Sequence, residues 1–130
     1  MFDKYMIVEE GFKNIEESGE VIGFQMGVRL PYYRGVVLSL VGEMVITVDG
    51  EKMPYDQMTL TLDGENYPLT KLEDEPVAKW EFGNIGLITI AKPGGLAPGE
   101  HKVELRQHMK ISYVPNGFWG QDEKTLRIPG

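Results

Sequence analysis

From Gly94 to Leu105 the chain reads Gly-Gly-Leu-Ala-Pro-Gly-Glu-His-Lys-Val-Glu-Leu, a Gly/Pro turn that opens directly into in/out alternation. Continued to Tyr113, the odd positions His101, Val103, Leu105, Met109, Ile111 and Tyr113 are mostly apolar, whereas Lys102, Glu104, Arg106, His108, Lys110 and Ser112 are polar. A period of two with one dry face marks a strand covered on one side. The segment carries no constellation of reactive side chains, so it specifies a scaffold and not a chemistry.

The rest of the chain follows the same logic. Turn signals recur at short intervals: Gly11, Gly19, Pro31, Asp49-Gly50, Asp63-Gly64, Gly83, Pro93-Gly94-Gly95, Pro98-Gly99, Pro115-Asn116-Gly117 and Pro129-Gly130. Strands are predicted at Gly23–Leu30, Val36–Leu40, Met44–Val48, Met58–Leu62, Ala78–Phe82, Leu87–Ile90 and His101–Tyr113. Two Asp-Gly dipeptides, each closing an apolar run, favour antiparallel hairpins. The 3.6-residue period never holds over a dozen residues, and the best helix candidate, Asn14–Ser18, is about one turn. Without crossover helices a parallel sheet is excluded. The expected fold is all-β, an antiparallel two-sheet β-sandwich of jelly-roll or immunoglobulin-like type with little or no helix, formed by residues 1–130 as a single domain. Residues 121–130 read as a tail that becomes fixed against a partner. The run Val36-Val37-Leu38-Ser39-Leu40-Val41 is apolar on both parities, as in a strand covered on two faces by a second subunit, a bulge or a sheet crossing.

A chain of 130 residues is long enough to bury a core unaided. It has no cysteine, so packing alone holds it, in keeping with a reducing compartment. Its first residues lack the basic cluster and apolar run of a signal peptide, and no window is long and apolar enough to span a membrane, so a cytoplasmic protein with no membrane partner is expected. The formal charge of −7, with scattered Lys and Arg, argues against nucleic acid. The acidic run Glu73-Asp74-Glu75 before Pro76 reads as a solvated loop.

Chemistry-bearing side chains are few. His101 and His108 fall on opposite faces of one strand and cannot share a metal. His101, on the dry parity, reads as a hydrogen-bonded core or corner histidine, while His108 points outward toward a partner. No Gly-x-Ser-x-Gly elbow, Cys nucleophile or close His pair is present, so no catalytic and no metal-ligating residue is assigned. Large rings in Gly/Pro-rich segments are more informative. Trp80 reads as core and Tyr32 as inward, whereas Tyr33, Arg34, Phe118 and Trp119 carry the residue types that dominate interfaces and stack on flat ligands. Together with His108 they are the candidate partner-interface or pocket-wall residues.

Val28-Arg29-Leu30-Pro31-Tyr32-Tyr33-Arg34-Gly35, Val48-Asp49-Gly50-Glu51, Trp80-Glu81-Phe82-Gly83, the Gly94–Leu105 segment and Ser112-Tyr113-Val114-Pro115, in this order and spacing, resemble the small beta subunit of bacterial C-glycoside deglycosidases. The resemblance implies a two-protein enzyme. Its larger alpha subunit is a (β/α)8 barrel holding a divalent metal, expected to be manganese, and the catalytic histidine; the small subunit is a β-sandwich without a cofactor of its own. The implied substrates are 3-oxo-C-glycosides of flavonoids and related phenols. Their carbon–carbon bond resists acid-assisted hydrolysis, but the 3-oxo group acidifies the neighbouring C2 proton, so that a base and a metal permit expulsion of the aglycone by elimination, a lyase reaction. The alternative is a stand-alone carbohydrate-binding β-sandwich that stacks sugars on exposed Tyr and Trp, which predicts saturable sugar binding by the isolated chain. A self-sufficient enzyme would need a reactive cluster that the sequence does not display.

Overall fold

Three two-residue turns, Ser18-Gly19, Asp49-Gly50 and Asp63-Gly64, share one geometry: φ is 53° and 82°, 50° and 84°, and 51° and 84° in turn. Two successive positive φ values match the right-handed twist of a hairpin, and each turn joins adjacent antiparallel strands. In the computed structural model, which describes residues 5–32, 35–110 and 117–129, these hairpins organise two antiparallel sheets.

The strands are β1 (Ile7–Glu17), β2 (Glu20–Val28), β3 (Val36–Val37), β4 (Val41–Val48), β5 (Glu51–Lys52), β6 (Met58–Leu62), β7 (Glu65–Pro68), β8 (Lys79–Trp80), β9 (Gly86–Ala91), β10 (Gly99–Met109) and β11 (Phe118–Ile128). One sheet has the order β1-β2-β9-β6-β7, the other β11-β10-β4-β5, and β3 with β8 forms a separate two-stranded ribbon. Phe24, Met26 and Val28 of β2, Met58, Leu60 and Leu62 of β6, and Ile88 and Ile90 of β9 are the buried face of the first sheet. Met44, Ile46 and Val48 of β4, Val103, Leu105 and Met109 of β10, and Leu126 and Ile128 of β11 are that of the second. All belong to one continuous apolar core, the arrangement of an all-β sandwich. No helix among the described residues is long and apolar enough to cross a membrane.

Trp80 is fully buried, and its indole N–H donates to the Asn84 carbonyl at 2.8 Å. Gly86 makes room for it: a Cβ there would stand 2.7 Å from the Trp80 ring and 2.6 Å from Leu60. The core reading of Trp80 holds, as does the inward reading of Tyr32.

Several expectations are corrected. Asn14–Ser18 is not helical but the end of β1 and its turn. The pairing of β1 with β2 shifts register between Val8 and Lys13 and again between Ile15 and Glu16, which scrambles the in/out pattern and hides the strand. The tail expected over residues 121–130 is instead strand as far as Ile128: Gln121–Ile128 complete β11, hydrogen-bonded along β10 from Gly99 opposite Ile128 to Met109 opposite Phe118. The apolar run after Val36 is a two-residue strand and then a 3-10 turn, Leu38–Leu40, in which Leu38 is buried and Leu40 exposed. The strand predicted at Ala78–Phe82 shrinks to Lys79–Trp80. The acidic run enters a 3-10 turn, Leu69–Asp74, anchored by buried Leu69 and Leu72. β10 ends at Met109, and the predicted continuation to Tyr113 lies outside the described residues.

Along one edge the two sheets are latched. The Asp122 carboxylate of β11, 3 % exposed, accepts from the Ile7 backbone N–H of β1 at 3.0 Å, and the Lys124 ammonium donates to the Ile7 carbonyl at 2.6 Å. Side chains thereby satisfy the backbone of an edge strand that strand pairing leaves open.

Candidate functional site

The outward residues of β10 run Glu104, Arg106, His108, and opposite His108 on β11 stands Trp119. The Arg106 guanidinium carbon lies 4.5 Å from the Trp119 ring centroid, and the His108 and Trp119 rings are 4.9 Å apart, tilted by 32°. Trp119 remains 42 % exposed, with Phe82 one of the exposed large hydrophobic rings among the described residues. A guanidinium over an indole is a favourable cation–π contact that also holds the ring in one orientation. Two flexible side chains and a tryptophan thus become an ordered plate on the sheet surface.

Of the residues expected at the site, the structure brings His108 and Trp119 together and adds Arg106, which the sequence reading did not single out. Phe118 and Trp119 are not on a loop, as expected, but open β11, because pairing with Met109 and His108 continues the ladder to its last rung. Tyr33 and Arg34 lie outside the described residues.

The same end of the sandwich gathers a second group of rings. Tyr5 and Phe82 stack at 5.9 Å, and the Arg29 guanidinium sits 4.8 Å from the Tyr5 centroid while donating to the Tyr5 carbonyl at 3.3 Å. Phe82 and Ile85 are exposed. The path between the two groups runs through Met6, whose carbonyl accepts from Arg29 N–H at 2.8 Å and whose sulfur lies close beside Gly120.

Beyond Gly42, across β10 from His108, opens a cleft of about 420 Å³ with Glu43, Tyr55, Thr70, Glu73 and Lys110 around a floor of Val41, Leu69 and Leu72. Burial, with the Glu43 and Glu73 carboxylates nearby, pushes the Tyr55 phenol above its ordinary range, and its hydroxyl donates to the Leu69 carbonyl at 3.0 Å. Sequence reasoning gave no hint of this cleft, since its residues come from β4, two separate 3-10 turns and Lys110 just past β10.

His101 is elsewhere. It faces inward at the opposite end of β10, with Nδ1 2.5 Å from an Asp49 carboxylate oxygen and Nε2 2.7 Å from the Ala97 carbonyl oxygen. Both ring nitrogens meet acceptors, so the imidazolium satisfies both. Burial pulls its pKa down, but the Ala97 and Asp49 hydrogen bonds and the Asp49 charge outweigh it and leave the value raised. The corner reading of His101 is borne out. Facing opposite sides of the sheet, His101 and His108 do not supply a joint donor set for a metal.

A comparison with protein families matches residues 2–113 to the C-glycoside deglycosidase beta subunit family. The chain belongs to that family. A C-glycoside deglycosidase beta subunit from Eubacterium cellulosolvens is 38 % identical over 114 residues, 87 % of this chain and 78 % of the relative. A 3'-dehydrocarminate deglycosidase beta subunit from a Microbacterium species is 28 % identical over 116 residues, 88 % of this chain and 83 % of the relative. Within the C-glycoside deglycosidase beta subunit family match fall Gly42, Arg106 and His108, whereas Trp119 lies past its end. The resemblance drawn from the five sequence segments is therefore confirmed.

Proposed function

We propose that this chain is the small subunit of a two-protein C-glycoside deglycosidase, a carbon–carbon lyase of the cytoplasm acting on 3-oxo-C-glycosides of flavonoids and related phenols. The observation that supports it, given the family, is the Arg106–Trp119–His108 plate: a beta subunit needs a face for its partner, and an ordered, exposed indole flanked by cationic and hydrogen-bonding groups is the residue chemistry of interface anchors. Trp119, with Phe118 beside it in sequence, forms the interface or the wall of the pocket against a flat aglycone; Tyr33 and Arg34 join them.

On this reading the larger (β/α)8-barrel alpha subunit holds the catalytic base and a divalent metal, manganese in our assignment, which supplies charge stabilisation next to the 3-oxo group. The small subunit contributes no ligand. Its residues orient the aglycone, close the mouth of the pocket and exclude water from the reaction.

The test is to express both chains, separately and together, and assay a 3-oxo-C-glycoside. Release of the aglycone by the pair, with neither chain active alone, is expected, and Trp119→Ala is expected to lower turnover or assembly. Full activity of the large chain alone would overturn the reading. Saturable binding of free sugar by the isolated small chain, with no partner, would favour the carbohydrate-binding module instead.

A further inference from the structure

Between β4 and β10 the ladder slips by one residue beside His108. Gln107 stands opposite Met44 and Met109 opposite Val41, so two residues of β4, Gly42 and Glu43, share the place across from His108 alone. This is a β-bulge, and it frees backbone groups from the ladder. Gln107, a polar residue on the dry parity of β10 and fully buried, answers that vacancy: its amide nitrogen lies 3.1 Å from the Gly42 carbonyl, 3.3 Å from that of Glu43 and 2.8 Å from that of His108. A buried amide is costly unless it is bonded; Gln107 Oε1 has no hydrogen-bond partner among the described residues, and the nitrogen's three carbonyl contacts are what tie the side chain to the bulge.

The bulge also makes space. A Cβ on Gly42 would stand 2.5 Å from His108 Nδ1 and 2.9 Å from both the His108 Cβ and the His108 carbonyl oxygen. On the far side a Cβ on Gly117, at φ +69°, would stand 2.1 Å from the Met109 carbonyl oxygen and 2.8 Å from His108 Nε2, so backbone approach alone calls for a glycine there. Two glycines therefore bracket one imidazole, and Trp119 packs on it.

We infer that Gly42 and Gln107 are positioning residues, which aim the His108 imidazole, together with Trp119 and Arg106, at the glycoside bound in the partner subunit. The inference rests on the subunit reading above. The imidazole is a hydrogen-bonding group suited to a phenolic hydroxyl of the aglycone, and the bulge fixes where it points.

The experiment uses the full chain assembled with its partner, and compares wild type, Gly42→Ala, Gln107→Met, His108→Ala and the Gly42→Ala/His108→Ala pair. Melting temperature, complex formation, and KM and kcat for a 3-oxo-C-glycoside are measured for each. Gly42→Ala, Gln107→Met and His108→Ala should each raise KM about tenfold, the worth of one oriented contact, with kcat changed less. In the pair, removing the imidazole relieves the closest contact but leaves those with the Cβ and carbonyl oxygen of residue 108, so the melting temperature recovers only in part while KM stays high. A structural role alone would move the melting temperature and leave KM in place. An active wild-type complex whose Gln107→Met and His108→Ala variants keep the wild-type KM overturns the inference and leaves the subunit reading standing. Should Gly42→Ala not fold, Gln107→Met and His108→Ala decide the matter. A wild-type pair with no turnover overturns both.

Discussion

His101 is clasped by two acceptors from different turns, the Asp49 carboxylate and the Ala97 carbonyl. The Asp49 carboxyl is held below its ordinary range by the His101 hydrogen bond, then by the Lys102 backbone N–H. The signs of the two shifts set a window. A raised histidine adds stability that is complete below the unfolded value, about 6.5, and is lost as pH climbs through the higher folded value. A lowered aspartate adds stability that is complete above its unfolded value, about 3.9, and is lost as pH falls through the lower folded one. Melting temperature should therefore be highest in mildly acidic buffer and decline above neutrality, and His101→Gln should flatten that decline; a scan of both proteins from pH 4 to 9 checks it. At Gly86 the effect is steric. A methyl 2.7 Å from the Trp80 ring overpacks the core, so Gly86→Ala should cost about 1–3 kcal/mol in a urea titration.

The strands that carried clean signals were those whose side chains do one job. β6 appears with its predicted bounds, Met58–Leu62, because every second residue is apolar and an Asp-Gly turn ends it. β1 and β11 were invisible because their side chains do two. Asn14, in β1, opens the segment read as the best helix candidate, yet its amide group donates to the Leu96 carbonyl at 2.8 Å and accepts from the Leu96 N–H at 2.8 Å, imitating a strand partner for the Gly94–Gly99 turn. Replacing both bonds at once, Asn14→Ala should destabilise by roughly 1–3 kcal/mol and raise amide exchange at Leu96. In β11 the polar residues that suggested a tail are those that latch Ile7. The bulge in β4 left one trace in sequence, the polar residue at 107 where the alternation calls for an apolar one. That break in parity, next to His108, is a trace of the bulge that the chain carries in its residue order.

At the scale of the molecule, the sheet pairing was legible as a class and the site only as a set of residue types. Exposed rings could be named from composition and turn context, but which of them meet depends on a register between β10 and β11 that no local signal encodes. The Asp122–Ile7–Lys124 latch is likewise non-local. Asp122→Ala leaves the Ile7 N–H and the Lys124 ammonium without their carboxylate, and should cost about 2–4 kcal/mol of stability by chemical denaturation, more than a surface ion pair would.

The latch and the plate occupy one strand, three residues apart. Closing β11 onto β1 and presenting Trp119 are consequently linked equilibria, and a ligand of the plate acts as a ligand of the closed sandwich. On the proposed reading, in which the partner subunit seats on the plate, the partner would serve as the thermal stabiliser of this chain, its effect growing with concentration, and a weakened latch would be felt first as poorer assembly at dilution and only later as unfolding.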